Sequence, residues 1–122
     1  MPKKILIADD DQDTIELIST ILKKEGYQLF TASDGSSAIS VAERELPDLI
    51  MLDIKLPGEL GFNIFDHFKK NQYLKDTPVL FVSAYDKKEY MDKAKTVGAG
   101  LITKPFEPAF LTAKVKEILK EA

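Results

Sequence analysis

Three kinds of chemically active group stand where the apolar runs of this chain end. Residues 5–8 run into Asp9, Asp10 and Asp11, and residues 49–52 run into Asp53. Residues 79–82 run into Ser83, and residues 101–102 are followed one position later by Lys104. Carboxylates crowded within a few ångströms repel one another, which raises their pKa values or demands a cation. A hard cation that prefers oxygen ligands, such as Mg²⁺, relieves the repulsion and keeps waters that a substrate phosphate can replace. An anionic phosphoryl group can then approach an anionic carboxylate, with Lys104 and the Ser83 hydroxyl neutralising its remaining oxygens. Positioning and charge neutralisation are the main catalytic terms in phosphoryl transfer. Asp53 would be the nucleophile and would form an acyl phosphate. Each residue alone has a plainer role: aspartates cap helices, a strand-end serine makes a turn, and a lysine is usually solvated. The conjunction, one group per strand end, is what points to chemistry.

Such a set must be positioned by elements that bring strand ends together, and the rest of the chain supplies them. Five short apolar runs, at 5–8, 29–32, 49–52, 79–82 and 101–102, alternate with segments of helical spacing. The first helix should begin near Asp11 or Gln12 and stop before Gly26. Asp34 should cap the second helix, with Ala38, Ile39 and Ala42 facing inward. Ile64, Phe65 and Phe68 mark the third. Asp86 followed by Glu89 reads as a capping box for the fourth. Pro108 suits the first position of the last helix, with Phe110, Leu111, Val115, Ile118 and Leu119 expected on one side. Strands that each lead into a helix predict an α/β fold, a parallel sheet covered on both faces and doubly wound by right-handed crossovers. Ligands of such sheets bind beyond the carboxyl ends of the strands.

Composition limits the alternatives. The chain has 122 residues, 44% hydrophobic and 30% charged, the balance of one globular domain over residues 1–122. A net charge of −3 gives no general attraction to nucleic acid, so no direct nucleic-acid partner is expected. With no cysteine, disulfides and thiolate metal sites are excluded, which fits a cytoplasmic location. No apolar run is long enough to span a membrane, and no membrane partner is expected. His67, the single histidine, lies near Lys69 and Lys70 and reads as a surface residue, so a transition-metal site is not expected.

Over its whole length the sequence resembles the response-regulator receiver family of two-component signalling, in the manner of chemotaxis response regulators. The stretches that carry the resemblance are Ile5-Leu6-Ile7-Ala8-Asp9-Asp10-Asp11, Pro47-Asp48-Leu49-Ile50-Met51-Leu52-Asp53 with Leu56-Pro57-Gly58, Pro78-Val79-Leu80-Phe81-Val82-Ser83-Ala84, and Gly98-Ala99 with Lys104-Pro105-Phe106. The resemblance implies a flavodoxin-like sandwich with strand order 2-1-3-4-5. It implies that Asp53 is the phosphoacceptor. Asp10 and Asp53 would ligate Mg²⁺ with the Lys55 backbone carbonyl, and Asp9 would act through a metal-bound water. Ser83 and Lys104 would contact the phosphoryl group, and the Lys104-Pro105 bond would be cis. The implied donor is a sensor histidine kinase or a histidine phosphotransfer protein. The implied output is a downstream protein met on the face of helix 4, strand 5 and helix 5. The chain would be a monomer or a phosphorylation-dependent dimer, and a phosphoacceptor rather than a turnover enzyme.

This sequence departs from the family pattern in three places. Leu101 lies where a switching Tyr or Phe is usual, and a leucine has no hydroxyl and less surface to swing. Leu60 occupies a usually polar place, and Gly100 replaces a residue that is commonly Asp. Lys55 and Tyr85 lie two residues beyond Asp53 and Ser83, where the family tunes hydrolysis. A bulky Tyr85 implies a long-lived phosphoryl state, which a Tyr85→Ala variant losing phosphate no faster would refute. The first helix carries two apolar stripes, Ile15, Ile18 and Leu22 beside Leu17 and Ile21. One buried face needs only one stripe. Either the helix buries one wide apolar face, or Leu17 and Ile21, with Thr14, stay exposed to dock a kinase helix, which resembles the family's docking surface.

Other readings fail on particular residues. An EF-hand starting at Asp9 would need glycine at Thr14 and glutamate at Thr20. Gly98-Ala99-Gly100 begins like a dinucleotide fingerprint, but Thr103 replaces its third glycine. A phosphatase of the haloacid-dehalogenase type would want an aspartate at Lys55. A flavodoxin proper would need a phosphate loop where Asp9, Asp10 and Asp11 stand. The alternative that survives is a receiver-like protein-binding module that works without phosphorylation.

Overall fold

The computed structural model describes residues 2–84 and 87–121. Its elements follow the order β1 (Lys4–Ala8), α1 (Gln12–Lys23), β2 (Gln28–Ala32), α2 (Gly35–Glu45), β3 (Leu49–Leu52), β4 (Lys55–Leu56), β5 (Glu59–Leu60), α3 (Gly61–Lys69), β6 (Val79–Ser83), α4 (Lys88–Val97), β7 (Gly100–Thr103) and α5 (Pro108–Leu119). Five strands form one parallel sheet in the order β2-β1-β3-β6-β7. This is the expected 2-1-3-4-5 order. The only renumbering comes from a small antiparallel hairpin, β4–β5, which the apolar pattern did not announce.

The central strands are continuous apolar runs because both of their faces are covered. Alternation along β1 sends Leu6 and Ala8 to one face and Ile5 and Ile7 to the other, and all four are buried. The first face packs Ile50, Leu52 and Phe81 under Ala38 and Ala42 of α2, Ile64 and Phe68 of α3, and Ala94 of α4. The second packs Met51, Leu80 and Ile102 under Ile15, Ile18 and Leu22 of α1 and Leu111 and Val115 of α5. Two half-cores on one sheet make its strand ends the rigid frame of the molecule.

The helix boundaries follow local chemistry. The Asp11 carboxylate accepts from the Asp13 N–H and the Thr14 hydroxyl at the start of α1. Asp34 and Ser37 cap α2 reciprocally, in the geometry of a capping box. Gly26 turns the chain from α1 towards β2 at φ 87°. Pro108 takes the first turn of α5, where its missing N–H costs nothing. The Asp86 cap expected for α4 lies outside the described residues. The described helix starts at Lys88 with Lys87 at the N-cap.

Two burial expectations are corrected. Phe110 is 54% exposed. A helix turns about 100° per residue, so Phe110 sits well round from the face that Leu111 and Val115 share. Thr14 is buried rather than exposed, because its hydroxyl folds back onto Asp11. Of the second stripe on α1, Leu17 is 48% exposed, while Ile21 is half-buried against the second half-core.

Candidate functional site

The carboxyl ends of β1, β3, β6 and β7 converge on one cleft of about 500 Å³, lined by Asp10, Asp53, Lys55, Ser83 and Lys104 among others. The sheet register does this directly. Ala8 pairs with Leu52, so the residues that follow them, Asp9 and Asp53, emerge side by side, and the Asp53 N–H donates to the Ala8 carbonyl at 3.0 Å. Ser83 pairs with Thr103, and the Lys104 N–H donates to the Ser83 carbonyl at 3.0 Å. The next peptide, Lys104-Pro105, is cis, as the resemblance implied.

Lys104 joins the two sides of the cleft. Its ammonium lies 2.7 Å from Asp9 Oδ2 and 3.3 Å from Asp53 Oδ2. Asp9 is enclosed, 2% exposed, and its other oxygen accepts from the Asp11 N–H at 2.9 Å. Asp53 is 7% exposed, and its Oδ1 accepts from the Lys55 N–H at 3.2 Å. Ser83 is buried beside them. Asp10 is exposed to solvent and faces the open cleft.

The Lys104 ammonium thus contacts two of the carboxylates, Asp9 and Asp53. Burial pushes the Asp9 carboxyl above its usual value, and the Asp53 charge adds to this. The hydrogen bonds from Lys104 and Asp11 offset only part of the rise. Burial alone would lower the Lys104 ammonium, but the hydrogen bond to Asp9 and the charges of Asp53 and Asp9 raise it overall, so it stays charged. Carboxylate oxygens of Asp9, Asp10 and Asp53 all lie within 4.8 Å of one another. An all-oxygen, strongly anionic donor set that is partly open to water suits a hard divalent cation. The residues present fit Mg²⁺.

Asp9, Asp10, Asp53, Lys55, Ser83 and Lys104, the residues expected to form the site, all lie in or beside this cleft. Asp9, with both oxygens engaged, stands behind the cleft, while Asp10 and Asp53 border it. Sequence reasoning missed Gly61. A Cβ there would lie 2.2 Å from the Asp53 carbonyl oxygen, so only glycine lets α3 begin against the acidic loop. It also missed the β4–β5 hairpin, although Pro57-Gly58 was a turn signal, with Gly58 at φ 79°. Leu101 sits opposite Phe81 in the sheet and is half-buried against the first half-core. Tyr85, on which the phosphoryl-lifetime expectation rests, lies outside the described residues.

The family model described as response regulator receiver domain matches residues 5–116. The alkaline phosphatase synthesis transcriptional regulatory protein PhoP of Bacillus subtilis is 38% identical over 125 residues, covering 100% of this chain and 50% of that protein. The phosphate regulon transcriptional regulatory protein PhoB of Escherichia coli is 33% identical, covering 98% of this chain and 53% of that protein. The chain thus spans about half the length of these curated relatives. Among solved structures, a putative response regulator from Chloroflexus aurantiacus superposes with a TM-score of 0.92 at 29% identity, over 99% of this chain and 100% of that one. A CheY-like receiver domain from Methanospirillum hungatei gives 0.90 at 30% identity, over 98% and 95%. With its five-stranded sheet and acidic strand-end cleft, the chain belongs to the response regulator receiver domain family of two-component systems.

Proposed function

We propose that Asp53 accepts a phosphoryl group from a phosphohistidine donor, in a Mg²⁺-dependent reaction that switches partner binding. The observation that carries this reading is the Lys104 ammonium in contact with both Asp9 and Asp53 at the mouth of a cleft that also holds Asp10 and Ser83. The Asp10 and Asp53 carboxylates and the Lys55 carbonyl would hold Mg²⁺, with Asp9 acting through a bound water. When bound, the ion supplies charge neutralisation between the acidic cluster and the incoming phosphoryl oxygens. An Asp53 oxygen forms the new P–O bond as the donor's P–N bond breaks, and the electron pair returns to the imidazole. Lys104 and the Ser83 hydroxyl take the phosphoryl oxygens that the ion does not. The protein thereby assists its own modification without acting on a separate substrate.

The donor in this reading is a sensor histidine kinase or a histidine phosphotransfer protein, docking over Leu17 of α1. A cytoplasmic location follows, because such donors draw their phosphoryl group from ATP. Residues 1–122 act as one receiver unit, and α4, β7 and α5 would present its state to a downstream protein. Incubation with acetyl phosphate and Mg²⁺, followed by intact-mass analysis, tests the core of the reading. A gain of one phosphoryl mass is expected, absent in Asp53→Asn and on chelation of Mg²⁺. A wild-type protein that gains no mass would leave only phosphorylation-independent binding.

A further inference from the structure

Helices α1 and α5 both start near the acidic cleft, α1 just after Asp11 and α5 four residues after Lys104, and both lie on the second half-core. Along its length α5 is held unevenly. Its cleft-side half sinks Leu111 and Val115 into the core. Beyond Val115 no residue of α5 is fully buried, and Ile118 and Leu119 only rest against the half-core. A last turn with so little burial opens easily unless something else holds it, since its final carbonyls also have no partner further along the helix.

Polar contacts meet that turn from across the sequence. Tyr27, in the segment between α1 and β2, is buried in the second half-core. Its hydroxyl donates to Glu121 Oε1 at 2.6 Å, over a separation of 94 positions. Beside it, the Lys116 ammonium lies 2.9 Å from Glu25 Oε1. The backbone prepares the first contact. Lys120 takes the left-handed conformation at φ 57°, and the Glu121 N–H donates to the Lys116 carbonyl at 2.8 Å, which folds the chain back after α5. Burial, then the hydrogen bond to Glu121 and the charges of Glu121 and Glu25, push the Tyr27 hydroxyl above its ordinary pKa, so it stays protonated and able to donate. A charged acceptor makes such a bond stronger than a neutral one does.

We propose that Tyr27 and Glu121 form a clasp that closes the far end of α5 onto the turn after α1, a polar lock where apolar burial runs out. The clasp joins the helix that the reading above gives to the donor to one of those it gives to the output face. Native-state amide exchange tests it without Mg²⁺ or phosphate, so the result stands apart from that reading. Tyr27→Phe keeps the ring in the half-core and removes the donor. Glu121→Ala removes the acceptor at an exposed position, where the core is untouched. Each should speed exchange at the Leu119 and Lys120 amides by roughly three- to ten-fold, the size expected of one hydrogen bond. The double variant should exchange no faster than the faster single one, because neither partner acts without the other. Glu121→Gln keeps a carbonyl acceptor and should recover part of the protection. Tyr73→Phe removes a hydroxyl from a residue that is 70% exposed, and should change nothing at α5. Unchanged exchange in both single variants overturns the clasp. So do effects that multiply in the double variant, because they would make Tyr27 and Glu121 independent of each other.

Discussion

Gly61 shows how much a single hydrogen atom can matter beside a reactive carboxylate. The first residue of α3 lies so close to the Asp53 backbone that a methyl group has nowhere to go, since the obstacle is a carbonyl rather than a flexible side chain. Gly61→Ala must push either the helix or the acidic loop aside. We expect a loss of about 1–3 kcal/mol of stability, the usual cost of overpacking, read by urea denaturation. We also expect acetyl-phosphate labelling of Asp53 to slow at least roughly tenfold, because small misplacements weigh heavily on group transfer. Unaltered labelling in a protein destabilised by that amount would show that the loop relaxes without disturbing Asp53. At this scale the residue types near the site were legible in the sequence. Asp9, Asp10, Asp53, Ser83 and Lys104 each terminate or follow an apolar run. The requirement at Gly61 was not legible, because it comes from a backbone approach that no spacing encodes.

Two helix ends carry predictions at the scale of elements. The Asp34 carboxyl is held below its usual value by the Ser37 N–H and hydroxyl. A carboxyl lowered by folding adds stability above its unfolded pKa and loses that contribution as pH falls through its folded pKa. Asp34→Ala should therefore melt earlier than wild type at pH 7. The gap should narrow once pH drops below the ordinary value of 3.8. A gap that stays constant between pH 7 and pH 3 would deny the cap its charge. At the other end of α2, Leu46 adopts the left-handed conformation at φ 48° with 48% of its surface exposed. That region costs an L-residue with a Cβ roughly 1–2 kcal/mol, partly offset by the greater freedom that glycine loses on folding. Leu46→Gly should therefore stabilise the protein by about 0.5–1 kcal/mol, a rise in Tm of a few degrees. A fall in Tm would mean that the buried half of the Leu46 side chain matters more than its backbone. The Asp34 cap was readable because its chemistry is local. The β4–β5 hairpin was not, because two-residue strands carry no period to detect.

For the molecule as a whole, the way the helices are fastened to the sheet predicts where it yields first. Among its described residues, helix α4 fully buries Ala94 and rests Tyr90 on the first half-core against Phe62, and its N-cap residue Lys87 makes no side-chain cap hydrogen bond. Helix α2, of similar length, buries Gly35, Ala38 and Ala42 and rests Ile39 and Val41 on the same half-core. Few buried apolar contacts imply a low local opening energy. Native-state hydrogen exchange should find α4 amides exchanging at least roughly tenfold faster than those of α2. Equal protection would mean that α4 opens only with the global unfolding of the domain.

The sequence by itself determined the fold class, the five-strand order through its family resemblance, and the identity of the groups at the strand ends. Apolar period, cap residues and strand-terminal chemistry are local properties that survive in one dimension. Tertiary structure decided which of those groups touch. It set Asp9 behind the cleft and Asp10 in front of it, through the parallel register of β1 with β3, and placed one ammonium between Asp9 and Asp53. It also turned Phe110 outward and folded Thr14 onto Asp11. These outcomes depend on how separate elements meet in space, and the free energy of that meeting belongs to the packed whole rather than to any segment of the chain.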